Sequence, residues 1–353
     1  MIVNNIQLAE FLTRLSASPW VAMDTEADSL HWYPERLCLI QISIPHLDKL
    51  IDPLAQIELA PLWAALKNRE LIFHGGDYDL RLLWRSYRFK PETVFDTMLA
   101  ARLLGQKEFG LADLVRRYCQ RELEKGPQKA DWSKRPLTPR MEAYARNDSH
   151  YLHHLEQALR NELLEHGRLE WHGEMCARLI ADSTHDEEAD PDGQWRVKGS
   201  FGLHRRGLAV LRAIWHWREQ EAIMAHRPPF FILSPQQMVA IANAAEARLD
   251  WASLIPHRFS PRRRDGLAKA VHQALTLPLE DCPEPLRPRS PRLTPIQKRA
   301  YFELERHRNR QAQKLQIEPS LIASRATLLA LAANGEAARA KLMSWQRKLL
   351  FGN

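Results

Sequence analysis

Apolar residues alternate or cluster in three short stretches bounded by turn formers, WVAMDTEA (20–27), LCLIQIS (37–43) and LIFHG (71–75). Runs of this length and pattern predict β-strands. Over 59–66, 79–88, 96–104, 111–118 and 138–165 the apolar positions recur at three- and four-residue intervals, which predicts amphipathic helices. The last of these has a well-marked start. Thr138 is placed to cap the first turn, and Pro139 sits at the first helical position, where its missing N–H leaves no bond unmade. Strand and helix signals mixed in this way predict an α/β domain built on a mixed sheet.

Two breaks interrupt the chain further on. ADSTHDEEADPDGQ (181–194) is acidic and lacks apolar periodicity, which marks a solvated linker, and in LPLEDCPEPLRPRSPRLTP (277–295) the prolines stop helices from propagating. Three folded units follow: 1–180, 200–276 and 295–353. The second and third are helical, and they repeat. Shifting Trp217–Ala242 by 90 residues matches Arg218 with Arg308, Ala222 with Ala312, Pro229 with Pro319, Ile232 with Ile322, Ser234 with Ser324, Ala240 with Ala330 and Ala242 with Ala332. Seven identities against roughly two expected from residue frequencies indicate a duplicated helical module.

Charge sharpens this division. Residues 1–195 carry 23 Lys+Arg against 31 Asp+Glu, a net −8, while residues 196–353 carry 27 against 12, a net +15. An acidic front joined to a basic back suggests one part that performs chemistry and another that holds a polyanion. Cys38, Cys119, Cys176 and Cys282 lie far apart with no CxxC and no Cys/His pair at zinc spacing, which argues against a disulfide framework or structural zinc. No apolar run approaches the ~18 residues of a membrane span, and the N-terminus lacks the marks of a signal peptide, so the expected location is the cytoplasm.

Carboxylates are the candidate chemistry. Asp24 and Glu26, two apart on a predicted strand, share a face, where they repel each other unless a cation lies between them. HGGDYDLRLLW puts Asp77 and Asp79 at a strand-to-helix turn, where an Asp commonly caps the helix. Asp79, directly before the amphipathic run, is the site candidate, with Asp77 as cap or flanking acid. Asp96, in VFDTMLAARLL, is expected to be a structural helix cap. Tyr144 and Asp148 in EAYARNDSHYL are one turn apart on one helical face. His150, His153 and His154, which follow, are expected to be surface or packing residues.

Together, Asp24-x-Glu26, Asp79 and Tyr144-x-x-x-Asp148 resemble the three exonuclease motifs of the DEDD superfamily in its tyrosine branch; Ala143 stands where the histidine branch has its histidine. The flanking text YPERLCLIQIS, HGGDYDLRLLW with FDTMLAARLLG, and ADWSKRPLTPRMEAYARND resembles bacterial ribonuclease D over nearly the whole first unit. RRGLAVLRAIWHWREQEAIMAHRPPFFILSPQQMVAIA is similar to the HRDC domain, a helical module shared by ribonuclease D and RecQ-type helicases. The repeat would then be a second HRDC-like domain, diverged in that His307 stands at the Trp217 position and QIEPSL replaces HRPPFF.

The resemblance implies a ribonuclease H-like mixed sheet flanked by helices, followed by two small all-α HRDC-like domains. It also implies 3′→5′ hydrolysis of RNA, including tRNA precursors, with release of nucleoside 5′-monophosphates. Two Mg²⁺ or Mn²⁺ ions would be held by Asp24, Glu26, Asp79 and Asp148; oxygen donors suit these hard cations. Asp24, Glu26 and Asp148 are assigned to the ion that activates water, Asp24 bridges, and Asp79 holds the second. Tyr144, with an ordinary pKa of about 10, is a poor base at neutral pH and is expected to orient the attacking water. For the basic half, Arg205, Arg206, Arg262, Arg263, Arg264 and Lys269 are candidate phosphate contacts. Trp215 and Trp217 do not share a helical face, so at least one belongs to the core. Two other readings compete: a DNA exonuclease of the same fold, and a non-catalytic nucleic-acid-binding adaptor, which the presence of all four carboxylates disfavours. No GxxxxGK[ST] loop occurs, so ATP is not an expected partner.

Overall fold

The computed structural model describes residues 1–124, 126–186, 193–285 and 293–352. The central parts of both expected linkers, 187–192 and 286–292, lie outside the described residues. Along the chain come α1 (Asn5–Ser16), β1 (Val21–Ala27), β2 (Leu37–Ile44), β3 (Leu47–Ile51), α2 (Ala60–Leu66), β4 (Glu70–Phe73), α3 (Asp77–Tyr87), β5 (Thr93–Asp96), α4 (Thr97–Leu103), α5 (Leu111–Cys119), α6 (Pro139–His150), α7 (Leu152–Glu165) and α8 (Leu169–Ser183). The helical region that follows contains α9 (Arg205–Ala225), α10 (Pro229–Ile232), α11 (Pro235–Glu246) and α12 (Pro261–Thr276), then α13 (Pro295–Leu315), α14 (Pro319–Ile322), α15 (Arg325–Ala340) and α16 (Ser344–Phe351). None of the described helices is long and apolar enough to cross a membrane.

Five strands form one mixed sheet in the order β3-β2-β1-β4-β5, with β1 central, antiparallel to β2 and parallel to β4. All three expected strands are present. β3, β5, α1 and α8 were not foreseen. β5 has only four residues, too few for a period to show, and β3 carries Asp48 and Lys49 and is a strand because it closes a tight antiparallel ladder with β2. The expected helix over 138–165 is two helices meeting at Tyr151.

Two compact units emerge. One contains Met1–Ala27, Leu37–His185 and the chain from 293 onward; the other contains Asp28–Arg36 with residues 193–285. In the first unit the C-terminal helices share a core with the sheet domain. Ala22, Ile72, Phe95 and Leu155 belong to one buried cluster with Ile322, Leu328 and Trp345. Arg168, itself buried, donates to Leu103 O at 2.6 Å and Leu315 O at 2.8 Å, so it joins the ends of α4 and α13. Gly105 is needed here: its φ is +78°, and a Cβ would come within 2.0 Å of Gln316 O.

The duplication is also visible in the elements. A 90-residue shift takes α9 onto α13 and α10 onto α14 residue for residue, His226 and Gln316 both end their helices in the left-handed region, and Ser234 and Ser324 both cap the next helix. The second unit has its own core around Trp195, Leu211, Ile214, Trp217, Met238 and Leu267.

Candidate active site

Strand alternation puts Asp24 and Glu26 together on the half-buried side of β1. The helix α6, packed on β1, β2 and β3, supplies Asp148, and several contacts fix its register. Thr138 caps its start by accepting from Met141 N, Ser149 Oγ lies 2.8 Å from Ser43 Oγ of β2, and Arg146 donates to Asp48 O at 2.9 Å. Carboxylate oxygens of Asp24, Glu26 and Asp148 consequently lie within 4.8 Å of one another.

Asp79 arrives separately. β4 ends at Phe73, the chain turns through Gly75 at φ +67°, and α3 begins with Asp79 buried in its first turn. There the helix N-terminus favours negative charge. Thr25, between the two acids of β1, donates its hydroxyl to Asp79 Oδ1. Asp79 is outside the group of three but close enough to raise the pKa of Asp24 and Glu26. Asp77 is not the cap, which is Gly76; it is exposed and pairs with Arg81 at 2.8 Å. Asp96 accepts from Leu99 N at 2.9 Å and Gly76 N at 2.8 Å, so it caps α4 and holds the glycine turn that delivers Asp79.

Electrostatically the cluster is under-compensated. Burial first, then repulsion from Asp79, Asp148 and Glu26, pushes Asp24 well above the carboxylate range. Burial and the facing acids raise Glu26 to about 9. Burial raises Asp148 to about 7 against the opposing hydrogen bond from Tyr144, and raises Asp79 to about 6 against that from Thr25. Among the described residues, the largest influences that oppose these shifts are hydrogen bonds. An all-oxygen donor set with this unmet negative charge fits a hard divalent metal.

Tyr144 packs against fully buried Trp132, with ring centroids 6.0 Å apart. Its hydroxyl is bonded to Asp148 and to Gln128, and burial beside these acids raises its pKa far above the usual phenol value. The phenol therefore holds its proton more firmly than a free tyrosine does. Gly126 lies against the ring so closely that a Cβ would come within 1.5 Å of Tyr144 Cδ2. Tyr144 and Asp148 form one wall of a cleft of about 640 Å³, whose other side is built by Gly110–Asp113, Leu123, Glu124 and Gly126–Ala130. Thr25, Gly126 and Gln128 escaped the sequence reading, because a hydroxyl or amide that supports another side chain leaves no periodic signal.

The three histidines after Asp148 are elsewhere engaged: His150 on Asp48 at 2.7 Å, His153 stacked on Trp20, and His154 on Tyr118 O at 3.2 Å. Five of the six candidate phosphate contacts have internal partners. Arg205 bonds Cys282 O, Arg206 bonds Ala274 O and Leu277 O, Arg262 and Arg263 both bond Glu221, and Arg264 bonds Phe259 O and His257 O. Lys269 is exposed. Trp217 is buried in the core of its module and Trp215 packs against it half-buried.

A family model described as 3′-5′ exonuclease matches residues 1–164, and an HRDC domain model matches residues 207–256. Ribonuclease D of Acidiphilium cryptum is 33% identical over 244 residues, which span 68% of this chain and 62% of that one. Ribonuclease D of Pseudomonas paraeruginosa is 30% identical over 95% of this chain and 89% of that one. The crystal structure of Escherichia coli RNase D, an exoribonuclease involved in structured RNA processing, superposes with a TM-score of 0.77 at 25% identity, covering 99% of this chain and 96% of that one. The mixed sheet, the carboxylate cluster and these matches define a protein built on a 3′-5′ exonuclease domain. Within that class, the chain belongs to the ribonuclease D family of exoribonucleases.

Proposed function

We propose that the whole chain hydrolyses RNA from its 3′ end, one nucleotide at a time, on structured precursors such as tRNA in the cytoplasm, and releases nucleoside 5′-monophosphates. The observation that carries this reading is the convergence of Asp24, Glu26 and Asp148 within 4.8 Å in a 3′-5′ exonuclease domain, with Asp148 also lining a cleft. A cavity of that size is in the range that accepts a small ligand such as one terminal nucleotide. The domains proposed for this work are an exonuclease domain over 1–180, an HRDC domain over 200–276 and a diverged HRDC-like domain over 295–353.

Two Mg²⁺ or Mn²⁺ ions, when bound, would neutralise the scissile phosphate and lower the pKa of a water. Asp24, Glu26 and Asp148 would hold one, with Asp24 shared, and Asp79 would help hold the other. Thr25 orients Asp79, and Asp96 fixes the turn that delivers it. Tyr144 is not the base: its O–H donates to Asp148, Gln128 donates to its oxygen, and the lone pair that is left would accept from the attacking water and orient it. Trp132 and Gly126 restrict the ring to that pose. The phosphate backbone upstream would meet the basic helical module, where Lys269 and Arg262 have the most exposed charges among the six candidates.

The test is a comparison of 3′- and 5′-labelled RNA with Mg²⁺ or chelator, and of single-stranded DNA alongside. Metal-dependent release of 5′-mononucleotides from the 3′ end of RNA is the expected result. Internal cuts, or hydrolysis of DNA in preference to RNA, would overturn it.

A further inference from the structure

In the first helical module, Phe230 and Phe231 stand 46% and 52% exposed on the short helix α10, their rings 4.5 Å apart and tilted by 40°. Single exposed apolar side chains are ordinary, but two adjacent large rings on a stiff support are a different feature. The support is stiff because Pro228 and Pro229 fix its start, and because Arg258 donates to both Phe231 O at 3.0 Å and Ile232 O at 3.2 Å. The rings are therefore presented on a short helix that is prevented from folding them inward.

The duplicated module supplies an internal control. Ser320 and Leu321 occupy the equivalent positions of α14, on a helix with the same bounds after the same left-handed cap. Leu321 is buried in the core shared with the sheet domain. The backbone thus does not need aromatic residues at this turn: in the second module the exposed position carries a hydroxyl and the covered one an aliphatic group. In the first module, where both positions are exposed among the described residues, it carries two π faces.

The surroundings favour a polyanion that also has flat rings. Residues 200–276 hold 11 Lys+Arg and 5 Asp+Glu, a net +6. Arg227 on the same turn is exposed, and His226 beside it stacks on Trp32 at 4.5 Å, with Arg36 3.9 Å over the other ring. Alternating aromatic faces and cations suit unpaired bases joined by phosphates. We infer that Phe230 and Phe231, with Arg227, form a stacking ledge for the bases of single-stranded RNA upstream of the 3′ end. The inference rests on the RNA-directed reading above and adds to it a place and a mode of contact. A protein partner would also cover two phenylalanines, and the test separates the two.

The variant is Phe230→Ser with Phe231→Leu, the pair that the second module already carries on the same backbone. The full-length protein is held in chelator to prevent cleavage, and fluorescence polarisation measures its affinity for labelled oligoadenylates of three and twelve nucleotides at several salt concentrations. Loss of stacking under one or more bases should weaken binding of the longer oligomer about tenfold or more. Binding of the trimer, the thermal melt and the salt slope should stay the same, since no phosphate contact is removed. Phe230→Trp with Phe231→Trp should preserve affinity. An unchanged affinity for the longer oligomer overturns the ledge, as does a loss matched by a flatter salt slope. A changed oligomeric state in light scattering without a change in affinity overturns it too, and makes the surface a protein interface. If the wild-type protein releases no mononucleotides from RNA, the proposed function has failed; if it does and the variant binds normally, only the ledge has.

Discussion

The exonuclease unit and the helical module both gather like charges, and they treat them in opposite ways. Around β1, three half-buried carboxylates gather beside the buried Asp79, burial and mutual repulsion dominate over the hydrogen bonds that oppose them, and their pKa values rise. In the helical module nearly every arginine of the basic runs is occupied: Arg262 and Arg263 share Glu221, while Arg206 and Arg264 tie down backbone carbonyls. Unmet charge is costly to keep and points to a missing ligand, whereas met charge belongs to the architecture. A charge run in a sequence is silent on which of these it is.

Substitutions at the two sites should therefore fail differently. Asp24→Asn is expected to lower hydrolysis by more than about a hundredfold, the scale of losing an electrostatic stabiliser in a site of this kind. Its thermal midpoint should hold or rise, because a repelled buried charge is removed. Residual activity above about a tenth would break the assignment. Asp79→Asn should be nearly as severe and Asp77→Asn mild, since one is buried beside the cluster and the other pairs with Arg81 in solvent. Steady-state rates showing the reverse order would point to Asp77 instead. Tyr144→Phe keeps the ring against Trp132 and removes the orienting hydroxyl, so kcat should fall roughly ten- to a hundredfold with KM little changed.

Acidity gives a fourth test. Carboxyls raised in the folded state add stability that is fully present below their ordinary value of about 4. It is lost as pH rises through about 6 for Asp79, about 7 for Asp148 and about 9 for Glu26. Metal-free protein should melt at a lower temperature at pH 8.5 than at pH 5.5, and added Mg²⁺ should offset the loss at the higher pH. Matching melts in chelator would count against the buried, uncompensated cluster.

The smallest effects belong to the basic module. Arg206→Ala should cost about 1–3 kcal/mol of stability, as two carbonyls lose their donor, with RNA affinity nearly unchanged. Lys269→Ala should leave the melt unchanged and reduce the salt slope of RNA binding by about 0.7. If the two exchange behaviours, the division between structural and available charge is wrong for this module.

Cutting the chain after residue 195, a boundary suggested by the acidic break, does not isolate the catalytic unit. It would uncover the core where Trp345 stacks on Trp171 at 5.0 Å and remove the Leu315 carbonyl that Arg168 holds. The second module resembles the first in its helices and differs in its neighbours. The apolar period that reveals a helix is the same whether its face meets its own module or another.

The sequence by itself determined the three longest-range expectations that reduce to local rules: strand alternation at Asp24 and Glu26, one helical turn from Tyr144 to Asp148, and the cap at Thr138. It also determined the duplication, because equal spacing survives where residue identity fades. Asp79 was already the candidate acid of its pair; only the tertiary structure decided that Asp77 pairs with Arg81 instead of capping α3, that five basic candidates are bonded within their own unit, and that the last helices complete the core of the first domain. Each of these depends on which residues distant in sequence come into contact, through carbonyls, glycines and buried faces whose partners no local pattern specifies.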